Sequence, residues 1–488
     1  MADLNPNHLQ QGELNVAGFF GCYHIYPNYP DFMNNEPSYN AYHDHEGILR
    51  YGGYLRDFMA LHPPYPALVA EFGMATGLAT AHVHPQGFDH GGVTERQQGE
   101  MIVRMMDAVL QEGYAGGVIF ELFDEWVKKT WITEPYIVPF ERNPYWHNAL
   151  CPEQNYGLLA MEPAGIPFLR GEPLYTQATV PAQAAPQQAA QAFPAVVLQN
   201  LLVEHNEAFL YLGLELVADG NDQAGGVSGS LLPPGTGLMI GLDTYNPGGG
   251  NPRLPLRGEK VPHGLEFLII ISGDEEAYLL ATSSYNRGEL RFSSAGGAAL
   301  AGDTNEKWEA IRPLVNRERI SRDGQVFPPV YSNQSVLPRG NFNPESQDYN
   351  SLAMLHINGG KNRVELRLPW ALLNFTDPST RQVMDDPREY SDAPLRDTLQ
   401  TSTTPGIYFC ALSYYLPEER GQYFVGEDSI SPGEWDGLIL DYLPRNVKGD
   451  GFAFTLPFYS WDFWEEPVYR VRQKESFPIV SAFFSQVD

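Results

Sequence analysis

Apolar and polar positions follow two different rhythms along the 488 residues. Up to about residue 170, strand-like runs alternate with helical spacing. Residues 16–26 form an apolar-rich run stopped by Pro27-Asn-Tyr-Pro30, and apolar positions near residues 51–61 recur at helical intervals. Ala67-Leu-Val-Ala-Glu71-Phe-Gly73 is short and mostly apolar, which predicts a buried parallel strand ending in a carboxylate and a glycine. Residues 94–110 read as an amphipathic helix with Thr94 as N-cap and Gln97 at the capping-box position. Residues 113–121 supply the next strand. The resulting β-α-β-α-β order predicts a parallel sheet whose strand ends share one face, so Glu71 stands on the face that carries active sites in barrels.

Residues 171–194 are rich in Ala, Gln and Pro and poor in large apolar side chains, the composition of a linker. Beyond it, short apolar runs at 208–217, 237–243, 265–271, 277–281, 363–368 and 406–412 are separated by Gly, Pro, Asn and Asp. That spacing predicts an antiparallel β-sandwich over residues 195–488, with long loops near 295–350 and 375–405. The expected fold class is therefore α/β plus all-β: a barrel-like unit over residues 1–170, then a sandwich.

Charge narrows the partners. A formal charge of −29 without any basic run excludes a phosphate-binding surface for nucleic acid and suits a neutral ligand such as a sugar. Three widely spaced cysteines, Cys22, Cys151 and Cys410, match no zinc or redox motif and predict no disulfide framework. Met1-Ala-Asp-Leu-Asn-Pro lacks the basic start and apolar core of a signal peptide, and no window reaches a membrane-spanning length. A secreted location would require an upstream segment carrying the signal.

Candidate chemistry centres on Glu71. Tyr26 at the end of the first strand is placed to hydrogen-bond its carboxylate and favour the charged form. Glu121, Asp124 and Glu125 form an acidic cluster after the third strand, beside Lys128 and Lys129, and read first as a solvated helix start. Trp126, Trp131 and Trp146 offer faces for a sugar ring or for core packing, Trp126 being the choice for the sugar. His82, His84 and His90 have spacing that zinc can use, but their loop lacks a fixed scaffold, and no metal is expected there. Asp243, Asp274 and Glu275 could contribute oxygens to a calcium site in the sandwich; isolated surface acids are the alternative.

Phe19-Phe-Gly-Cys-Tyr-His24-Ile-Tyr26-Pro, Ala70-Glu71-Phe72-Gly73 and Phe120-Glu-Leu-Phe-Asp-Glu-Trp126 occur in the order of the sixth, seventh and eighth strands of retaining (β/α)8 glycoside hydrolases, which the first part resembles. Glu134-Pro-Tyr, Asn143-Pro-Tyr-Trp-His-Asn148 and Asn155-Tyr-Gly-Leu-Leu159 extend the likeness toward an uncharacterised, family 2-like bacterial branch. The resemblance implies Glu71 as nucleophile, Tyr26 and His24 presented to it, Trp126 as a sugar platform, and no metal cofactor. The acid/base glutamate that such enzymes place after asparagine on the fourth strand has no counterpart, nor do the first five strands. A partner chain, an upstream segment or decay to a smaller α/β unit would account for that. The region after 195 resembles family 9 carbohydrate-binding modules and DOMON-type sandwiches, through Ile240-Gly-Leu-Asp-Thr-Tyr245, the strand near Glu266 and Leu366-Arg-Leu-Pro-Trp370. Two functions follow from these likenesses: a glycoside hydrolase-like protein acting on poly- or oligosaccharide, or a non-catalytic carbohydrate-binding or assembly protein.

Overall fold

In the computed structural model, residues 12–29, 31–62, 65–165, 169–177, 196–217, 231–274, 276–290, 306–321, 324–386, 399–416 and 429–486 are described. The fold mixes helices with a larger share of strands. Three parallel strands, β1 (Gly21–His24), β2 (Ala67–Phe72) and β3 (Gly117–Ile119), form a sheet with β2 in the centre. Helices α1 (Arg50–Met59) and α2 (Glu95–Gln111) make the crossovers and cover one face. Ala67, Val69 and Phe72 meet Leu55, Ile102, Met105 and Val109 there in one buried cluster. Thr94 caps α2 with the reciprocal Gln97 hydrogen bonds that the sequence predicts.

Burial on both faces does not extend across this sheet. Val118 of β3 is 51% exposed, because its side chain points away from the face that the helices cover, and Phe20, just before β1, is 66% exposed. Among the described residues no sheet closes into a barrel.

After the short strand β4 (Leu159–Pro163), the chain builds antiparallel sheets. Strands β5 (Leu198–His205), β6 (Phe209–Leu216) and, later, Arg363–Pro369 lie in a five-stranded sheet. Strands β7 (Thr236–Asp243), β8 (Phe267–Ser272), β9 (Glu276–Thr282) and Ile407–Tyr415 lie in an eight-stranded one. Leu210, Leu212, Leu366 and Leu368 from the first sheet share a buried core with Leu238, Ile240, Ile269 and Ile271 from the second. The alternating side of each strand fills the space between the sheets.

Two boundaries differ from the expected domain scheme. Tyr175–Thr176, inside the expected linker, pairs with β5, and Gln177 is buried and donates its amide to Tyr442 O. Residues 178–194 lie outside the described set. At the other end, β10 (Tyr469–Gln473) leaves the antiparallel half and pairs with β4, and α3 (Ser476–Phe484) packs on α2. Gly99 of α2 permits that approach, since a Cβ there would stand 2.8 Å from Ser476 Cα. Arg472 joins Glu95 at 2.6 Å and Glu162 at 3.0 Å, which locks the returning segment to the first half. No helix among the described residues is long and apolar enough to cross a membrane.

Candidate functional site

Glu71 occupies the C-terminal end of β2, as its sequence context predicts, with the ends of β1 and β3 on the same side. The β1–β2 register shifts between Tyr23 and His24, so that Tyr23 pairs with Val69 but His24 with Glu71. This irregularity brings His24 Nδ1 to 3.1 Å from Glu71 Oε2. Two residues on, the Tyr26 hydroxyl donates to the same oxygen at 3.1 Å. Burial, then the neighbouring Tyr156 and Glu71, push the Tyr26 phenol far above its usual range, so it remains a neutral donor. The Glu71 side chain keeps 32% of its surface exposed.

An open cleft of about 700 Å³ lies in front of this carboxylate. Tyr26, Phe120 and Tyr156 form one wall, in edge-to-face contact at centroid distances of 5.3–6.4 Å. The peptide bond after Phe120 is cis. A second carboxylate, Glu153, faces the same cleft, with Oε1 3.1 Å from His90 Nε2, an ion-pair distance without hydrogen-bond alignment. Glu153 rides on the short helical turn Pro152–Asn155 and has no signal in the sequence beyond being an acid in a loop. Trp131 also lines the cleft, 36% exposed. The antiparallel half completes the lining through Val315, Arg317 and Arg319.

Of the residues the sequence proposes, Glu71 and Tyr26 line the cleft and His24 touches Glu71. Trp126 does not join them. Its ring stacks on His147 with planes 3° apart, its Nε1 donates to Met161 O at 2.7 Å, and it is 8% exposed. Trp131, five residues on, holds the cleft position instead. Trp146 is core. Glu121 and Glu125 share Lys128, at 3.1 and 2.7 Å, and burial pushes the Glu121 carboxyl up to about 7. Asp124 is buried against Lys474 at 2.8 Å; burial outweighs that ammonium and pushes its pKa up to about 6.

The three loop histidines part company. His82 and His90 face the cleft, whereas His84 accepts from Gln86 N and is pushed down to about 3 by burial. In the antiparallel half, Asp243 and Asp274 do not converge on one ion. The β7–β8 register pairs Leu242 with Phe267 and Gly237 with Ser272, so the two acids sit at opposite ends of the strand pair, roughly 20 Å apart at about 3.3 Å per residue. Asp274 accepts from Leu231 N and Leu232 N, tying the turn after β8 to the segment that leads into β7; Glu275 lies outside the described residues. Asp243 pairs with His263 at 2.7 Å and abuts buried Glu266, whose carboxyl burial holds well above its usual range. No cluster of three or more metal-type ligands occurs among the described residues.

The cleft thus offers a fixed carboxylate, a second acid beside an imidazole, aromatic faces and two guanidinium groups. No protein-family model matches the chain and no curated protein matches it, so its chemistry is argued from this geometry.

Proposed function

We propose that the cleft at Glu71 acts on a poly- or oligosaccharide in the manner of a retaining glycoside hydrolase. The carrying observation is a strand-end carboxylate, oriented by Tyr26 and His24, that shares one open cleft with a second carboxylate and aromatic faces. In this reading Glu71 attacks the anomeric carbon, and Glu153 beside His90 protonates the leaving oxygen and later activates water. Phe120, Trp131 and Tyr156 present apolar faces to the sugar ring. The three parallel strands belong to a (β/α)8-like sheet completed by a partner chain or an upstream segment, and the antiparallel half acts as a carbohydrate-binding sandwich. The outer strands β1 and β3, each paired on one side only among the described residues, support completion of the sheet.

Those same open edges favour a second reading, in which the cleft binds carbohydrate without turnover and the sheet edges serve assembly. The purified protein, assayed against aryl glycosides and polysaccharides beside Glu71→Gln and Glu153→Gln, separates the two. Enzyme action requires Glu71-dependent hydrolysis. A general acid at Glu153 further requires that Glu153→Gln retain kcat/KM on dinitrophenyl glycosides, whose leaving group needs no proton, while losing it on unactivated ones, with kcat lowered on both because the second step lacks its base. Binding without turnover in the wild type leaves the second reading.

A further inference from the structure

Part of the cleft lining is built by a segment more than two hundred residues from Glu71. Asn316 holds that segment at two points: its Nδ2 donates to Val83 O at 3.1 Å, and Val83 N donates to its Oδ1 at 2.9 Å. His82 Nε2 lies 3.1 Å from the same amide nitrogen. Just beyond this clamp, Arg317 and Arg319 both line the cleft while Glu318 does not. Residues two apart in an extended segment share a face, so the clamped segment sends the side chains at 317 and 319 to the same side.

Their placement runs against the composition of the chain. Lys and Arg total 31 against 60 Asp and Glu, and the same cleft carries Glu71 and Glu153. An anionic ligand approaching those carboxylates would be repelled, and two guanidinium groups lining the same cleft offset that repulsion. A neutral sugar gains little from such a pair. Planar guanidinium forks match the paired oxygens of a carboxylate or a sulfate ester, which they bind bidentately.

We propose that the cleft takes an anionic glycan, with Arg317 and Arg319 recognising the charged group of a uronate or sulfate-ester sugar. The inference rests on the carbohydrate reading of the cleft and names its substrate class. Titration calorimetry on the full chain tests it with trigalacturonate, a sulfated oligosaccharide and a neutral oligosaccharide of matched length. The proteins are the wild type, Arg317→Gln, Arg319→Gln, and Arg317→Lys, which keeps charge but loses the fork. Both arginines are exposed, so the variants should melt with the wild type.

The expected result is at least tenfold tighter binding of one anionic ligand than of the neutral one. Each Gln variant should weaken that binding about tenfold and spare the neutral sugar, with partial recovery in Arg317→Lys and weakening in 0.5 M salt. The preferred anion identifies carboxylate or sulfate as the recognised group. Neutral binding as tight as anionic, unchanged by the Gln variants, overturns the inference and leaves the carbohydrate reading standing. Binding of none of the three glycans overturns both.

Discussion

Lys474 Nζ lies 2.8 Å from Asp124 Oδ1, with both side chains 2% exposed, so the returning C-terminal segment places its ammonium beneath the loop that follows β3. Thr76 Oγ1 and Asn155 O accept from the same nitrogen at 3.0 and 3.2 Å, which ties this pair to the loop after Glu71 and the turn that carries Glu153.

Lys474→Met should therefore destabilise the fold by about 3–5 kcal/mol, since it strands a buried carboxylate. The loss should be smaller at pH 5 than at pH 8. Asp124, with its pKa pushed up to about 6, can take a proton at the lower pH. Adding Asp124→Asn should restore much of the stability. Urea unfolding of both singles and the double at the two pH values measures this; additive losses would deny the coupling.

Under the proposed hydrolase reading, Glu71→Gln is expected to lower glycoside turnover roughly 10⁴-fold, because an amide cannot form the glycosyl ester, while stability changes by less than about 1 kcal/mol at this part-exposed position. Tyr26→Phe removes one donor to Glu71 and should lower turnover roughly 10- to 100-fold, the equivalent of a hydrogen bond to a charged group. Rates and melting curves on the same preparations separate chemistry from folding.

Gly73 follows the Glu71 strand, and a Cβ there would lie 1.9 Å from Phe120 O. Backbone on both sides leaves little room to relax. Gly73→Ala should cost about 3 kcal/mol and disturb the Phe120 wall, which chemical denaturation and sugar binding would report together. An unaffected midpoint would mean that the strand end is looser than its packing implies.

His147 is pushed down to about 4, chiefly by burial, with the nearby Lys474 adding to this and the Asn155 hydrogen bond opposing it. A histidine with a depressed folded pKa is neutral in both states above about 6.5, so its stabilising contribution is complete there and is lost as pH falls toward 4. The loss should reach on the order of 3 kcal/mol. Asp124, Asp243 and Glu266, all shifted upward, act in the opposite direction on acidification. The contrast between wild type and His147→Gln isolates the histidine: between pH 7 and 4 the variant should lose less stability. Parallel curves would sink the assignment.

The alternation of strand and helix made β1, β2, β3 and α2 legible from local pattern, and the apolar run into Glu71 marked its strand end. Strands β6 to β9 were equally readable, because their apolar runs are bounded by turn residues. The cleft was only half visible. Trp126 and Trp131 look alike in sequence, and only His147, twenty-one residues after Trp126, decides which ring is covered. Glu153 sits in a helical turn without periodicity, and Arg317 and Arg319 follow directly on the Asn316–Val83 clamp, a contact between segments far apart in the chain. Such pairings are set by tertiary register, which no local window contains.

The strand pair β4–β10 carries a consequence for birth of the protein on the ribosome. Arg470 meets Glu162 across 308 residues of chain, so the first half must wait for its last strand and for α3 until the antiparallel half has been made. At ~5–20 residues per second that wait lasts ~15–60 s. Throughout it the α2 surface that later receives α3 stands uncovered in the nascent chain, a window in which a chaperone would find its binding site.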